Sequence, residues 1–136
     1  MQLLRYDPKD PPQLPAAPGW PHQDTAIGLA YADQGAWAWL VVDDDGRIAG
    51  ECGVKGLPGP DGTVEIGYGL AGPSRGRGLG TALVAALVAE LSGLPEVRRI
   101  EARVVADNIA SRRVLERAGF ALVEVGPVEM RYTLVV

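Results

Sequence analysis

The sequence predicts one mixed α/β domain, in which helices cover a single sheet. Three observations support this prediction. The 136 residues suffice for one domain with a substantial core. Segments with strand-like and helix-like patterns follow in the order strand, weak helix, three strands, helix, strand, helix and two strands. No repeat, low-complexity segment or domain boundary interrupts them, so residues 1–136 are taken as one domain.

The N-terminal part is a short, proline-rich segment that precedes the main body of the domain, residues 36–136. Residues 2–6 are predicted as a first strand. Six prolines in residues 7–21 predict irregular chain, because proline fixes φ and lacks a backbone N–H. Residues 22–33 are predicted as a weak helix. One side of that helix carries Ile27, Ala30 and Tyr31.

A hairpin and a third strand follow. Residues 36–43 and 47–54 are strand-like. The "DDDG" between them suits a tight reversal, since Asp and Gly tolerate positive φ. Residues 63–70, "TVEIGYGL", are predicted as the third strand of this run.

The second half of the chain alternates helices and strands. Residues 79–91 are apolar on nearly all sides, which predicts a buried helix packed on the sheet. Residues 97–106 alternate as a strand does, and residues 107–119 form an amphipathic helix. The predicted caps of this helix are Asp107 or Asn108 at its start and Gly119 after its end. Residues 120–125 and 128–136 are predicted as the last two strands.

Composition excludes several classes of function. The net charge of −4 gives no support for nucleic-acid or anionic-membrane binding. Cys52 and His22 are the only residues of their types, so cysteine metal clusters and His-pair zinc motifs are not expected. The chain starts without the apolar run of a signal peptide, and its longest apolar stretch is too short for a bilayer. A cytoplasmic location is therefore expected.

A basic glycine loop, "RGRGLG", runs from Arg75 to Gly80 between the third strand and the long helix. Its glycines let a ligand approach the backbone, and the helix that follows presents unpaired N–H groups at the positive end of its dipole. These features predict an anion site. A Walker A loop is excluded because no Lys-Ser/Thr follows, and a Rossmann fingerprint fits poorly in spacing. The alternative is a flexible turn without a ligand.

The motifs together resemble the GNAT family of acetyl-CoA-dependent N-acetyltransferases. The family's Arg/Gln-x-x-Gly-x-Gly/Ala motif is present as Arg75, Gly78 and Gly80. The preceding "EIGY" resembles the branch that contains the ribosomal-protein N-terminal acetyltransferases. The later "DNIASRRVLERAGF", residues 107–120, resembles the family's second helix. The resemblance covers roughly residues 36–136.

The resemblance implies a mostly antiparallel sheet with helices on both faces, in which strands four and five splay apart and hold the pantetheine arm of acetyl-CoA. The backbone groups expected to bind that arm belong to Tyr68, Gly69 and Leu70. The backbone N–H groups expected to cradle the pyrophosphate belong to Arg75, Gly76, Arg77, Gly78, Leu79, Gly80 and Thr81. Asn108 and Ser111 are expected beside the lower pantetheine and the thiol. Arg112 or Arg113 is expected at the ribose phosphate, with a solvated surface role as the alternative.

Acetyl transfer needs a base, because an ammonium group is not nucleophilic. Glu65 is the candidate base, and strand alternation places it on the same face as Gly67 and Gly69. The resembling branch carries an acid at this position. Glu51 and Glu101 are weaker alternatives on neighbouring strands, and simple exposure of Glu65 to solvent is the structural alternative.

Two further groups are expected to act during transfer. The backbone N–H of Tyr68 is the candidate for stabilising the oxyanion. Many family members protonate the departing thiolate with a tyrosine four residues before the Gly-Phe pair, where this sequence has Leu115. Ser111 is the substitute candidate, and capping of the helix is its alternative role.

The acceptor side is less well defined by the sequence. Cys52 is predicted to be a small core residue, and His22 to be a helix-start residue with an acceptor-site role as the alternative. The prediction is an N-acetyltransferase that uses acetyl-CoA, without a metal, to modify a primary amine of a small molecule or peptide, through direct attack in a ternary complex. A homodimer fits the family, in which dimers are common. The alternative function is a non-catalytic acyl-CoA-binding module.

Overall fold

The computed structural model describes all 136 residues and contains the predicted elements in the predicted order. The strands are β1 (Gln2–Arg5), β2 (Ala38–Val42), β3 (Ile48–Val54), β4 (Thr63–Leu70), β5 (Arg99–Val105), β6 (Ala121–Val125) and β7 (Glu129–Val135). The α-helices are α1 (Thr25–Asp33), α2 (Leu79–Ser92) and α3 (Ile109–Arg117), and a 3₁₀ turn spans Gly72–Ser74. None of the helices is both long and apolar enough to cross a membrane.

The seven strands form one sheet in the order β1-β2-β3-β4-β5-β7-β6. All neighbours are antiparallel except β4 and β5, which are parallel. Their pairing covers only Thr63–Ile66 against Arg99–Ala102, although β4 continues to Leu70. Residues 67–70 therefore pair with β3 alone, and their other edge is open. The splay implied by the family resemblance is confirmed.

Helices lie on both faces of the sheet, as predicted. Helix α2 packs one side against the main core through Leu83, Val84, Leu87 and Leu91. Its other side is exposed, which differs from the expectation of burial on all sides. That side carries alanines such as Ala82, Ala85 and Ala89, whose small apolar area costs little in water.

Helix α1 lies on the opposite face, over β3 and β4. The sequence predicted that Ile27 shares one side with Ala30 and Tyr31. In the structure Thr25 and Ala32 are the buried residues of this helix, and Ile27 is 66% exposed. Ile27 lies beside a cavity rather than in the core.

Candidate functional site

Two cavities meet at the point where β4 and β5 separate. The first, here called the loop cavity, has a volume of about 520 Å³ and lies between the glycine loop, the end of β4 and α3. The second, here called the α1 cavity, has a volume of about 370 Å³ and lies between α1 and strands β3 and β4. The residues that line both cavities are Tyr68, Gly69, Arg75 and Asn108. A ligand in one cavity can therefore contact a ligand in the other.

The glycine loop forms one end of the loop cavity. Gly76 and Gly78 have φ of +76° and +77°, a region that side chains disfavour. Gly78 is the N-cap of α2, and no side chain caps that helix end. Gly80 and Thr81, in the first turn, line the cavity. Uncapped amides at the positive end of a helix dipole suit an anion, so this geometry is compatible with the predicted anion site, which stays a prediction.

Arginines surround this end of the loop cavity. Arg75 lines it and donates through Nε to the carbonyl of Leu70 at 3.2 Å. Of the two arginines predicted on α3, Arg113 lines the cavity. Arg112 donates to the Tyr132 hydroxyl and to the carbonyl of Ala106, at 3.1 and 3.0 Å, and its contacts are therefore structural.

The predicted loop residues fall into two groups. Gly76, Gly78, Gly80 and Thr81 line the loop cavity with Leu70. Arg77 and Leu79 are not among the lining residues: the side chain of Arg77 is exposed, and that of Leu79 packs against the core. The prediction for these two residues concerned their backbone N–H groups, and it stays a prediction. Arg117 lines the cavity but was not predicted. Its spacing of four residues from Arg113 is the signal that places it on the same helix face.

Tyr68 and Ser111 bridge the gap between β4 and α3. Their hydroxyl oxygens are 2.6 Å apart. Burial raises the pKa of the Tyr68 phenol, and the hydrogen bond with Ser111 offsets part of that rise. The helix cap is a separate contact, because the Ser111 N–H donates to Oδ1 of Asn108 at 3.2 Å. The Ser111 hydroxyl takes no part in that cap, and Leu115 is fully buried in the core. The sequence considered only the backbone of Tyr68 and missed its phenol.

The α1 cavity contains a hydrogen-bond network around Glu51, which is 4% exposed. Its Oε1 accepts bonds from Trp20 Nε1 at 3.1 Å and Thr25 Oγ1 at 2.7 Å. Its Oε2 lies 2.8 Å from His22 Nε2. His22 does stand at the start of α1, and it also lines the cavity. In the sequence, only the position of Glu51 inside the apolar β3 indicated this network. Its hydrogen-bond partners could not be predicted, because they lie 26 to 31 positions away along the chain.

Glu65 lies apart from these groups. It shares a face with Gly67 and Gly69, as predicted, but lines neither cavity. Its carboxylate is 2.7 Å from Lys55 Nζ and 3.8 Å from Arg103 Nε. Gly69 is four positions further along the strand, a distance of about 13 Å between the two Cα atoms. Its role as the base stays a prediction.

Cys52, on β3, is 3% exposed and belongs to the main core. Burial, and then the negative charges of Glu51 and Glu90, raise the pKa of its thiol. The structure is consistent with the predicted packing role. No group of three or more His, Cys, Asp or Glu side chains is placed to hold a metal ion.

Comparison with known proteins gives the following similarities. Residues 2–121 match the family model described as "Acetyltransferase (GNAT) domain". YjdG of Bacillus subtilis, described as an uncharacterized N-acetyltransferase, is 29% identical over 113 residues, covering 76% of this chain and 67% of YjdG.

Solved structures show the same fold. RimL, a ribosomal L7/L12 α-N-protein acetyltransferase in complex with coenzyme A, superposes with a TM-score of 0.70 at 20% identity, covering 82% of this chain and 68% of RimL. A chimera of the spermidine N-acetyltransferase SpeG from Vibrio cholerae gives a TM-score of 0.67 at 14% identity, with coverages of 76% and 68%.

Proposed function

Because the chain belongs to the GNAT family of acetyltransferases, we propose that it transfers an acetyl group from acetyl-CoA to a primary amine. The family and the enzyme class predicted from the sequence are both confirmed by the match over residues 2–121. The observation that carries the specific proposal is the meeting of the loop cavity and the α1 cavity at the open edge of β4.

The loop cavity fits acetyl-CoA. Its phosphate end has uncapped helix amides together with Arg75, Arg113 and Arg117. Charge-assisted hydrogen bonds of this kind contribute roughly 1.5–3 kcal/mol each. Its narrow end is the open backbone edge of residues 67–70, which suits an extended arm with amide groups. The bound cosubstrate supplies a thioester carbonyl at the junction of the two cavities.

The chain offers groups for two parts of the transfer. The backbone N–H of Tyr68 is proposed to stabilise the oxyanion. The Ser111 hydroxyl, bonded to the Tyr68 phenol, is proposed to supply a proton to the departing thiolate. Because burial keeps the phenol protonated at neutral pH, it can return the proton that Ser111 gives up.

The acceptor is proposed to enter the α1 cavity. Asp24 and Glu51 line this cavity, and their carboxylates suit a protonated amine. RimL and SpeG are described as acting on a protein N-terminus and on spermidine, which are both amines. A small-molecule amine or a peptide N-terminus is therefore the proposed acceptor class. A homodimer and a cytoplasmic location stay predictions from the sequence.

The test combines binding with turnover. Acetyl-CoA binding is measured by calorimetry, and release of free CoA is followed with spermidine, an alanine-starting peptide and a lysine-containing peptide as acceptors. Transfer to at least one of them is expected. Tight binding of acetyl-CoA with no transfer to any amine would instead favour the non-catalytic module.

The prediction for Glu65 has its own test. If Glu65 takes the proton of the amine, Glu65→Gln lowers kcat/KM at neutral pH by about 100-fold or more, while acetyl-CoA binding survives. An unchanged kcat/KM removes Glu65 from the mechanism. Stability is expected to change by less than about 1 kcal/mol, since the ion pairs of Glu65 are partly exposed.

A further inference from the structure

The segment of residues 20–25, which leads into α1 and includes its first residue, contacts Glu51 through three side chains. Trp20, His22 and Thr25 each contact its carboxylate. The Glu51 side chain is 6% exposed and that of His22 is 11% exposed. Burying a charge is costly, and a neutral polar or apolar contact anchors a segment at least as well. A charged group at this position therefore suggests a role beyond anchoring.

The Glu51–His22 pair lies directly on the backbone of β4. Glu51 pairs with Gly69 in the β3–β4 register. A Cβ on residue 69 would stand 2.6 Å from Glu51 Oε2 and 2.8 Å from His22 Nε2. No side chain thus separates the pair from the strand edge where the two cavities meet. This is the place to which the proposed function assigns the thioester.

One acceptor position on Glu51 remains free. Oε1 accepts two hydrogen bonds, from Trp20 and Thr25. The hydrogen-bond network assigns the His22 proton to Nε2, because Nδ1 accepts the N–H of Asp24 at 3.2 Å. Oε2 therefore accepts one bond, from His22. A carboxylate oxygen accepts two, so Oε2 has capacity for one further donor.

We propose that Glu51 binds the ammonium group of the acceptor and takes its proton, with His22, Trp20 and Thr25 as positioning residues. The inference rests on the proposed acetyl transfer. One proton of R–NH₃⁺ passes to Glu51 and then to water. The neutral nitrogen attacks the thioester carbon, the C–N bond forms and the C–S bond breaks. The second proton leaves the nitrogen and the thiolate takes up one proton, so the products are the amide, CoA thiol and one released proton.

Other titratable groups also line the α1 cavity and bear on its pH dependence. They are Asp24, Tyr31, Cys52, Lys55, Tyr68 and Arg75. Lys55 is paired with Glu65, and Cys52 is a buried thiol. Asp24 is exposed at the rim and gives its backbone N–H to His22. Glu51 is the buried carboxylate among these groups.

The test compares Glu51→Gln with Glu65→Gln and Trp20→Phe, using spermidine and an alanine-starting peptide as acceptors. Glu51→Gln keeps the size of the side chain and removes its charge. We expect kcat/KM to fall by about 100-fold or more at neutral pH, with CoA affinity within about threefold. The residual rate should rise about tenfold per pH unit, because only free amine then reacts. Spermidine binding to the dead-end CoA complex should weaken as well. Trp20→Phe keeps the carboxylate and should lose less than about tenfold, and its kcat/KM should not acquire the tenfold rise per pH unit expected for Glu51→Gln.

The outcomes separate the two levels of the proposal. Wild-type protein that acetylates neither probe refutes the proposed function and, with it, this role of Glu51. Wild-type protein that is active, with a Glu51→Gln loss below threefold or smaller than that of Glu65→Gln, overturns only the assignment to Glu51. If Glu51→Gln does not fold, His22→Phe takes its place, because phenylalanine has no N–H group, whereas glutamine could still donate to Oε2. Loss of that donor should shift the acidic limb of kcat/KM toward higher pH, and an unmoved limb overturns the inference.

Discussion

The side chains of Glu51 and His22 leave no space for a Cβ atom on Gly69, so a larger residue at this position is predicted to lower stability. The backbone of Gly69 needs no positive φ, so freedom of rotation is not the reason for a glycine here. In Gly69→Ala the new methyl group would stand 2.6 Å from Glu51 Oε2 and 2.8 Å from the His22 ring. Both side chains are held by hydrogen bonds, so they cannot move without breaking contacts. Overpacking of this kind costs about 1–3 kcal/mol.

Gly67 is the matched control, on the same strand and the same face. A Cβ there would meet only Cε of Lys55, at 3.4 Å, which is the mobile end of a long side chain. Gly67→Ala should therefore leave the free energy of unfolding within about 0.5 kcal/mol, or raise it by up to about 1 kcal/mol by restricting the unfolded chain.

Urea denaturation and thermal melting measure the difference. For a chain of this length, 1 kcal/mol corresponds to about 3–4 °C in Tm. Gly69→Ala should lower Tm by about 3–12 °C, whereas Gly67→Ala should change it by no more than about 4 °C upward or 2 °C downward. Equal effects of the two substitutions would refute the argument that the Glu51–His22 pair occupies the space above Gly69.

Three further predictions concern the loop, the phenol and the thiol. Gly78→Val forces a side chain into φ of +77° and should weaken acetyl-CoA binding at least tenfold, as measured by calorimetry. Gly72→Ala is the control, because that position has open space and an ordinary φ. Normal affinity in Gly78→Val would remove the phosphate-loop assignment. Tyr68→Phe should lower kcat about 10- to 100-fold with little change in acetyl-CoA affinity. Because the pKa of Tyr68 is raised, its proton is present at neutral pH and is lost only above the ordinary value of 10.0, so the wild-type alkaline limb of kcat should lie above that pH. Cys52 should resist thiol reagents at neutral pH and react once the protein is unfolded, because burial raises the pKa of its thiol and leaves little thiolate. Fast reaction in the native state would contradict its place in the core.

Local patterns predicted the secondary structure because each element has a strong signal in its own residues. Alternation and turn residues defined β4, whose observed bounds, Thr63–Leu70, agree with the prediction. Asn108 was correctly expected as a cap of α3, and Gly119, with φ of +95°, follows its end. Helix α1 has a weak pattern, and its buried residues, Thr25 and Ala32, could not be read from that pattern.

The candidate site was predicted where it follows from one continuous stretch. The glycine loop and the start of α2 lie together at one end of the loop cavity, and short-range spacing is enough to predict this. The contacts of Tyr68 with Ser111 and of Glu51 with His22 join residues 43 and 29 positions apart. Strand alternation gives the face on which a side chain lies, but it does not give the partner that the fold places opposite it.

The short parallel pairing of β4 with β5 also has a consequence for how the protein unfolds. The sheet consists of a four-stranded part, β1 to β4, and a three-stranded part, β5 to β7, and only four residue pairs join them. A ligand that lies in the gap contacts both parts and acts as an additional link between them. Ligand at 100 times its Kd adds about 2.7 kcal/mol to stability. Hydrogen exchange in β5 and β7 should therefore slow when acetyl-CoA binds, and the two parts of the sheet should then open as one cooperative unit.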